Sequence, residues 1–589
     1  MKSYVFDIEC YKNYFLVQFK DIYSGEVFFF EKFGGNPFPV VHIQALCRNR
    51  IVGFNSKNYD IPMLSYACAG ATNIELKQLS DAIILQGKKW WELEREFGFC
   101  CSGYNHIDLM EVAPGQAGLK TYGGRMHSQK LQDLPIEPDA EIDESEHSLM
   151  RQYCKNDLDL TIDLYHKLLP QLKLRASMSK QYGVDLLSKS DAQIAETVII
   201  KEIEKITGNK VYKPRSDKGK TFKYKMPDFI KFETEELQAL LKDVEQANFG
   251  VDASGKMLMP DVLHKRVVVV GGKPYAMGIG GLHSMEKSGY VHSKEYLGMK
   301  IFDRDVTSYY PSIILNQSLY PAHIGEAFLT VYKSLVDRRV EAKKNGDSVT
   351  ADSLKIAVNG SYGKLGSIWS KLFAPELLIQ TTITGQLSLL MLIEMFSTHK
   401  DHGVYSANTD GITVTTFDVE DYLRIVKKWE KITGFNTEET EYLAVYSRDV
   451  NNYVAVKSNG KVKTKGAYTT GGLMKNPVNK VCVDAVVNYL TKKMPIEDTI
   501  KSCTEIKDFL TVRKVEGGAV WRDQYLGKSI RWYYSHHKDT INYKTNGNKV
   551  AKSEGATPMM ELIGFPEELN HQWYIDEAKS MLGDLHGAR

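Results

Sequence analysis

Several features are absent from this chain, and each absence argues against a particular class of protein or site. Its eight cysteines form no Cys-x-x-Cys pair, which argues against a zinc knuckle and favours reduced, mostly buried thiols. No uninterrupted apolar run is long enough to span a bilayer, and residues 1–7 lack the long apolar core of a signal peptide. The sequence has no internal repeat and no low-complexity tract. We therefore expect a cytoplasmic protein without a membrane partner.

The bulk composition is that of an ordinary soluble globular protein. The 589 residues are enough for three or four domains with separate cores. A formal net charge of +2 does not decide whether nucleic acid is bound, because the distribution of basic residues matters more than their total. Strand-like runs at 4–8 and 14–19 and a helix-like run at 146–169 predict an α/β domain at the N-terminus. The basic stretch 210–225, with its Pro and Gly, is typical of a loop or linker.

Four carboxylates and a tyrosine form the first group of candidate catalytic residues. Asp7 and Glu9 lie two apart on a predicted strand, so their side chains share a face. Asp60 follows later, and Tyr153 and Asp157 are four apart on a predicted helix. Mg²⁺ prefers oxygen ligands, and two such ions can bind the attacking and leaving oxygens of a phosphodiester. The tyrosine hydroxyl would then orient the attacking water.

Each of these signals has an ordinary structural explanation when it is taken alone. An Asp-x-Glu pair on a strand is usually a solvated edge, and a Tyr-x-x-x-Asp pair on a helix is usually surface. The functional interpretation rests on the whole set occurring in this order. Asp108 is a weaker candidate, and we interpret it as structural.

A second group of carboxylates lies in the middle of the chain. Asp305 ends a strand-like apolar run at 299–306. Asp410 lies in an Asn-Thr-Asp-Gly turn between strand-like runs at 404–407 and 412–416, which predicts a hairpin with the carboxylate at its tip. Two carboxylates placed in this way can bridge metal ions between a primer 3′-hydroxyl and an incoming triphosphate.

Between these two acids the sequence predicts a pair of helices. The runs 328–344 and 351–362 are helix-like and are separated by a break at 345–347, with Thr350 as the expected cap of the second helix. Lys355 would neutralise triphosphate charge, and Tyr362 with Gly363 would face the nascent base pair. The predicted nucleotide-facing residues are Lys355, Asn359 and Tyr362 on one helix face and Arg339 and Lys343 on the other helix. Arg338 competes with Arg339, and the sequence does not separate them.

Taken together and in this order, the motifs resemble the family B DNA polymerases that carry a 3′–5′ exonuclease of the DEDDy type. The resemblance spans nearly the whole chain. It implies an α/β multidomain fold, with an N-terminal ribonuclease H-like exonuclease domain and a right-hand polymerase of palm, fingers and thumb. The implied segments are exonuclease 1–170, linker and N-terminal palm 171–295, palm 296–327, fingers 328–365, palm 366–466 and thumb 467–589.

The same resemblance implies roles for further residues and for ligands. Tyr310 would exclude a 2′-hydroxyl, Lys463 and Lys465 would contact the primer–template backbone, and Gly280-Gly281 loosely resembles a linker that coordinates the two active sites. The expected substrates are primer–template DNA, dNTPs and a single-stranded 3′ end at the exonuclease site. The expected cofactor is Mg²⁺, two ions per active site, with Mn²⁺ as an alternative. We expect a monomer.

Three departures from the family pattern modify these expectations. Asn408 replaces the first acid of the usual Asp-Thr-Asp-Ser turn, so Asp305 and Asp410 would hold the metals nearly alone. Gly360 follows Asn359 where a serine is usual. Only about fifty positions separate Asp305 from Lys355, which leaves no room for the insertion of protein-primed members and favours a compact bacteriophage replicase that extends an ordinary primer.

Two other functions stay open at this point. The chain could be a nuclease whose C-terminal part only binds DNA, or a DNA-binding scaffold with decayed sites. The C-terminal stretches 531–534 and 538–552 interleave basic and aromatic residues, which suits DNA contacts but also an ordinary amphipathic surface.

Overall fold

The computed structural model describes residues 2–215, 219–252, 254–264 and 266–586. The chain divides into two compact units. Unit 1 comprises Met1–Ser190, Thr470–Ala485 and Met494–Glu577, and unit 2 comprises Asp191–Thr469, Val486–Lys493 and Ala578–Arg589. The six segments implied by the sequence have other bounds and remain a prediction. Residues 216–218 of the predicted linker lie outside the described residues.

The N-terminal part of unit 1 is a mixed sheet with helices. Its strands are β1 (Ser3–Cys10), β2 (Tyr14–Asp21), β3 (Val27–Phe33), β4 (Arg50–Gly53) and β5 (His106–Asp108). Its helices are α1 (Val40–Cys47), α2 (Asp60–Cys68), α3 (Asn73–Ile84), α4 (Trp90–Phe97), α5 (Leu109–Val112), α6 (Leu119–Met126), α7 (His147–Lys167) and α8 (Leu169–Tyr182), with a 3₁₀ turn at Glu144–Glu146.

The order of this sheet brings the ends of two strands to one edge. The order is β3-β2-β1-β4-β5, with β1 antiparallel to β2 and parallel to β4. Because β1 and β4 are parallel, their carboxyl ends lie at the same edge. The predicted strands at 4–8 and 14–19 and the predicted helix at 146–169 are confirmed by β1, β2 and α7.

Unit 2 contains the second sheet and most of the long helices. Its strands are β6 (Thr221–Phe222), β7 (Phe249–Val251), β8 (Met257–Leu258), β9 (Val267–Val270), β10 (Lys273–Ala276), β11 (His283–Ser284), β12 (Gly289–His292), β13 (Lys300–Val306), β14 (His402–Asn408), β15 (Gly411–Thr416), β16 (Thr437–Asp449), β17 (Asn452–Lys457) and β18 (Val462–Lys465). Its helices are α9 (Asp191–Thr207), α10 (Glu235–Gln246), α11 (Tyr309–Asn316), α12 (Ala327–Lys344), α13 (Ser348–Leu365), α14 (Pro375–Ser397) and α15 (Val419–Thr433), with 3₁₀ turns at Ser293–Glu295 and Gly466–Tyr468.

The main sheet of unit 2 is antiparallel around β13. Its order is β18-β17-β16-β13-β15-β14-β11-β10-β9, and β12 also pairs with β16. The predicted strand and hairpin are confirmed by β13, β14 and β15. The predicted helix pair is confirmed by α12 and α13. The predicted cap is wrong: Asp347 is the N-cap of α13, and its side chain accepts a hydrogen bond from the amide of Thr350 at 3.0 Å. An N-cap must precede the first helical residue, and Thr350 already lies inside the first turn.

Helix α14 is the one helix among the described residues with the length and apolar composition needed to cross a membrane. In this structure 83% of the tested window is buried. Its leucine and isoleucine side chains pack in the core of unit 2 with those of α15 and β15. Its apolar surface is therefore accounted for by the core.

The C-terminal elements complete the chain. The helices are α16 (Lys480–Lys492), α17 (Ile496–Ser502) and α18 (His571–His586), with a 3₁₀ turn at Ile506–Phe509, and the strands are β19 (Thr511–Trp521), β20 (Gln524–Tyr534), β21 (Asn542–Tyr543) and β22 (Ala556–Pro558). Strands β19 and β20 form a long hairpin in unit 1, in a sheet of order β21-β19-β20-β22.

The suggestion that residues 531–534 contact DNA is wrong. Arg531, Trp532, Tyr533 and Tyr534 are all buried. The Arg531 guanidinium donates to the carbonyl oxygens of Ser128 and Met559, both at 2.7 Å. The stretch is buried because β20 packs in the interior of unit 1, and its arginine bonds backbone carbonyls instead of phosphates.

Candidate active sites

The first candidate site lies in unit 1, at the carboxyl end of β1. Asp7 and Glu9 alternate with buried residues on this strand, so both side chains leave the same face. Asp60 is the first residue of α2, just after β4. Tyr153 and Asp157 lie one turn apart on α7, which packs on β1. The structure thus gathers the five predicted residues from three elements.

The electrostatics of these acids show how close they lie to one another. Burial raises the pKa of Asp7 to about 6, while Lys120 opposes the shift. Burial and the charge of Asp7 raise the pKa of Glu9 well above its usual value. Burial and the charges of Asp7 and Asp108 do the same to the pKa of Asp60. Neighbouring carboxylates repel one another, and this repulsion raises their pKa values. A cation bound between them would relieve the repulsion.

Two residues of this site were missed from the sequence. Lys120, on α6, pairs with the Asp157 carboxylate, and its ammonium lies 4.5 Å from the centre of the Tyr153 ring. The Cys154 thiol lies 3.8 Å from Asp7 Oδ2. Cys154 directly follows Tyr153 in the predicted helix, so a helical wheel could have found it. No spacing signal links Lys120 to the acids.

Asp108 has the structural role expected of it. Its carboxylate is buried and accepts hydrogen bonds from the amides of Asn55 at 2.9 Å and Lys57 at 3.0 Å. It also caps α5 by accepting from the amide of Met110 at 3.0 Å. These bonds fix the loop that leads to Asp60.

The donor set of this site fits a hard divalent cation. The ligand atoms of Asp7, Glu9 and Cys154 lie within 4.8 Å of one another. Asp60 Oδ1 is buried and has no hydrogen-bond partner. A buried carboxylate oxygen without a donor is costly unless a cation meets it. Asp7, Glu9, Asp60 and Asp157 therefore fit Mg²⁺ or Mn²⁺ by their oxygen chemistry.

The second candidate site lies in unit 2, where β13 runs beside the β14–β15 hairpin. Asp305 is paired in register with Gly411, the residue that follows Asp410. The amide of Val306 donates to the carbonyl of Asp410 at 2.8 Å and fixes the turn against the strand. Both carboxylates are exposed at the edge of a cavity of about 240 Å³.

Gly411 is required by this arrangement. A Cβ at position 411 would lie 2.1 Å from Asp305 Oδ1 and 2.9 Å from the carbonyl oxygen of Arg304. Any side chain here would displace the Asp305 carboxylate. The glycine in the turn thus has a packing reason that the sequence alone did not give.

A third acid, Asp303, was missed although its sequence signal was present. It lies two residues before Asp305 and so faces the same side of β13. The Tyr442 hydroxyl donates to Asp303 Oδ2 at 2.6 Å, and the Lys463 ammonium donates to the same oxygen at 3.0 Å. Lys463, predicted to contact DNA, therefore lies inside the cavity and pairs with an acid.

The charges around the cavity shift the pKa values of its acids. Partial burial and the charge of Asp303 raise the pKa of Asp305 to about 6, and Lys463 opposes this. Partial burial also raises the pKa of Asp410, against the charges of Lys465 and Lys463. Asp303, Asp305 and Asp410 supply oxygen ligands only, which fits Mg²⁺ or Mn²⁺.

Asn408 uses its amide group to hold the hairpin. Its Nδ2 donates to the carbonyl of Val450 at 3.3 Å and to Asn451 Oδ1 at 3.2 Å, and its Oδ1 accepts from the Thr409 hydroxyl at 3.1 Å. A carboxylate could not make the two donations. The first position of the turn is therefore bonded to the neighbouring loop.

The Tyr310 ring lies close enough to the hairpin for the Asp410 charge to act on its hydroxyl. It stacks on Tyr362 with ring centres 4.1 Å apart and an angle of 15°. Its hydroxyl donates to the carbonyl of Gly280 at 3.3 Å. A Cβ on Gly281, which has φ +141°, would lie 3.1 Å from Thr409. The predicted Gly280-Gly281 linker thus lies against the turn that carries Asp410.

Of the two competing arginines, Arg339 has a contact beside Tyr310. Arg339 Nη1 donates to the Ser308 hydroxyl at 3.2 Å, just before Tyr310, so Arg339 faces the site. Lys343 is exposed near the end of α12. The structure thus brings Arg339 to the residues around Tyr310, whereas the position of Lys343 near a nucleotide stays a prediction.

The remaining predicted residues lie on α13. Lys355 and Asn359 are exposed and share a face with the half-buried Tyr362. A Cβ on Gly360 would lie 2.8 Å from the Cβ of Ala195 on α9, which explains the glycine. Helix α9 thus packs on the predicted helix pair, which the sequence did not indicate.

Comparison with known proteins shows distant structural likeness. No protein-family model and no curated protein matches the chain. Among solved structures, the chain is similar to the family B DNA polymerase from the hyperthermophilic archaeon Pyrobaculum calidifontis, with 15% sequence identity and a TM-score of 0.42. The match covers 100% of this chain and 79% of that one. A likeness at this level does not establish membership of the family.

Proposed function

We propose that this chain is a template-directed DNA polymerase that extends a primer 3′ end with dNTPs, and that it also carries a 3′–5′ proofreading exonuclease. The observation that carries the proposal is the cavity at β13, where Asp305 lies over Gly411 and beside Asp410. Five acids and two lysines line this cavity, and they come from segments far apart in the sequence.

Phosphoryl transfer needs positioning and charge stabilisation more than covalent help. Divalent cations held by Asp305 and Asp410 would stabilise the charge on the attacking and leaving oxygens. The Lys463 ammonium donates to Asp303 beside them, and its charge opposes the rise in the pKa of Asp305. Arg339 is positioned by Ser308 to meet a phosphate, with Lys355 and Lys343 as further cations on the same helix pair.

The Tyr310 ring, stacked on Tyr362 and tied to Gly280, would lie against the sugar of the incoming nucleotide. A rigid ring in this place leaves no room for a 2′-hydroxyl, so deoxynucleotides would be selected. Asn359 and Gly363 would line the same nucleotide pocket, and Lys465 would contact the primer–template backbone.

The exonuclease proposal rests on the unit 1 site. Asp7, Glu9, Asp60 and Asp157 would hold the metal ions that act on a single-stranded 3′ end, and Tyr153 would orient the attacking water. Lys120 pairs with Asp157, and its charge opposes the rise in the pKa of Asp7. The acid and tyrosine set is that of the DEDDy type, and the mixed sheet that carries it supports a ribonuclease H-like domain.

We further propose that the enzyme is a compact, bacteriophage-type member of family B. It would work as a monomer in the host cytoplasm and extend an ordinary primer. Helices α12 and α13 would be the fingers, the sheet around β13 the palm, and the C-terminal region the thumb.

One experiment tests both activities. The full-length protein is incubated with a labelled primer–template and Mg²⁺, with and without dNTPs. We expect extension with dNTPs and 3′ shortening without them. Asp7→Ala should remove only shortening, and Asp305→Ala should remove only extension. Asp163→Ala, an exposed acid on α7, is the matched control and should change neither.

Each alternative function predicts a different result. A nuclease with a DNA-binding C-terminal part would shorten the primer but never extend it, and Asp305→Ala would leave all its activity intact. A scaffold with decayed sites would bind the primer–template and do neither. Extension by Asp305→Ala at the wild-type rate would refute the assignment of the polymerase site.

A further inference from the structure

A cluster of two histidines and an aspartate lies in unit 2, apart from the acids of the proposed polymerase site. His399 follows the end of α14, His402 begins β14, and Asp421 lies in the first turn of α15. Asp421 Oδ2 lies 3.0 Å from His399 Nδ1 and 3.0 Å from His402 Nε2. The three ligand atoms all lie within 4.8 Å of one another. One carboxylate oxygen therefore faces two imidazole nitrogens.

Thr416 holds the other side of the His402 ring. Its hydroxyl lies 2.8 Å from His402 Nδ1 and also bonds the backbone of Asp418, with the Asp418 amide donating to it at 3.1 Å. Nε2 is therefore the ring nitrogen that faces Asp421. Two imidazole nitrogens thus point at one carboxylate oxygen, and this is a donor set that a divalent cation can bind.

The other contacts of the cluster resemble the surroundings of metal ligands. The second ring nitrogen of a metal-bound histidine is usually hydrogen-bonded to a fixed partner, and Thr416 is such a partner for His402 Nδ1. A ligating carboxylate is usually hydrogen-bonded itself, and the second oxygen of Asp421 accepts from Arg424 Nε at 2.8 Å. Two ligands of one tetrahedral ion with bonds of about 2.1 Å are separated by about 3.4 Å. The two 3.0 Å contacts of Asp421 are a few tenths of an ångström shorter, so the side chains would separate slightly around an ion.

We propose that His399, His402 and Asp421 bind one divalent transition metal ion of the Zn²⁺ type. Two imidazoles and one carboxylate are ligands that suit such ions better than Mg²⁺. The side chain of His402 is fully buried, whereas that of His399 is 38% exposed, so a further position of the ion is open to water on the His399 side. The ion would fasten the end of α14 to the start of β14 and α15. It would thereby support the hairpin strand that leads to Asp410, without touching the reacting atoms.

The test uses the full-length protein after treatment with a chelator, in excess Mg²⁺ so that the oxygen-only sites are filled. Zn²⁺ binding is measured by titration calorimetry, and Co²⁺ is added separately to follow its visible absorption. The variants are His399→Gln and Asp421→Asn, with His42→Gln as the matched control because His42 is exposed on α1. We expect the wild type and His42→Gln to bind one more equivalent of Zn²⁺ than the other two variants. The Co²⁺ absorption and the rise in thermal midpoint with Zn²⁺ should be lost with that equivalent.

The test does not substitute His402, because a change at this fully buried side chain could prevent folding. His399 is partly exposed, so we expect His399→Gln to fold and to give a decisive result. Equal Zn²⁺ stoichiometry in the wild type and His399→Gln would overturn the proposal. So would the absence of Zn²⁺ binding in the wild type, since the two imidazoles would then only be hydrogen-bond partners of Asp421. Neither outcome depends on polymerase or exonuclease activity.

Discussion

A methyl group at position 411 tests the geometry of the proposed polymerase site without removing any of its acids. In Gly411→Ala the new Cβ would lie 2.1 Å from Asp305 Oδ1, whereas real Cβ contacts shorter than 3.0 Å are essentially never seen. The Asp305 carboxylate must therefore move by about 0.9 Å. The backbone of Gly411 does not have a positive φ. The other close contact of the new Cβ, 2.9 Å to the Arg304 carbonyl oxygen, is relieved by a backbone shift of about 0.1 Å.

The expected effect is large for the rate and small for the stability. A misplacement of about 1 Å in a catalytic group costs about 10²-fold in rate, which is about 2.7 kcal/mol at 1.36 kcal/mol per tenfold. A carboxylate that swings away on its flexible side chain leaves the core intact. We therefore expect primer extension to fall about 10²-fold while the thermal midpoint and the 3′ shortening activity stay unchanged.

The assay is single-turnover primer extension with dNTPs in excess, compared with shortening without dNTPs. Gly289→Ala is the matched control, because it is a strand glycine of the same sheet with no atom within 4 Å of the added Cβ. Extension by Gly411→Ala at the wild-type rate, in a folded protein, would refute the reasoning that Asp305 acts from its place over Gly411.

Three other predictions follow from the same contacts. Lys120→Met should lower 3′ shortening at least tenfold and leave extension intact, because the partner of Asp157 is lost; equal loss of both activities in the gel assay would contradict this. Tyr310→Ala should raise ribonucleotide incorporation, and an unchanged ratio of rNTP to dNTP incorporation would rule out its steric role. The pKa values of Asp7 and Asp305 are raised from 3.8 to about 6, so their folded forms hold protons more tightly than the unfolded chain. In EDTA, stability should therefore fall as pH rises from about 4 to about 6, and Mg²⁺ should weaken that fall; a flat or rising thermal midpoint would contradict it.

Local periodicity was enough to predict which side chains share a face. The two-residue repeat of a strand placed Asp7 and Glu9 together, and the four-residue spacing of a helix placed Tyr153 and Asp157 together. The same two-residue repeat places Asp303 on the face of β13 that carries Asp305. These predictions hold because they depend only on the geometry of a single element.

Contacts between elements could not be read in this way. Nothing in the spacing links Lys120 to Asp157, or Gly360 to α9, because which segments become neighbours is decided by sheet order and helix packing. The buried state of Arg531 was misjudged for the same reason. The composition of a basic and aromatic stretch does not distinguish a surface that faces DNA from a segment that packs in a core, as residues 531–534 do.

The sequence by itself determined the main elements around the acids, the hairpin that carries Asp410 and the identity of the predicted acids. The tertiary structure alone decided that Asp305 lies over Gly411, that Asn408 bonds the neighbouring loop and that His399, His402 and Asp421 meet. The physical reason is range: hydrophobic periodicity and turn chemistry act over a few residues, whereas a site is assembled from segments that come together only when the core packs.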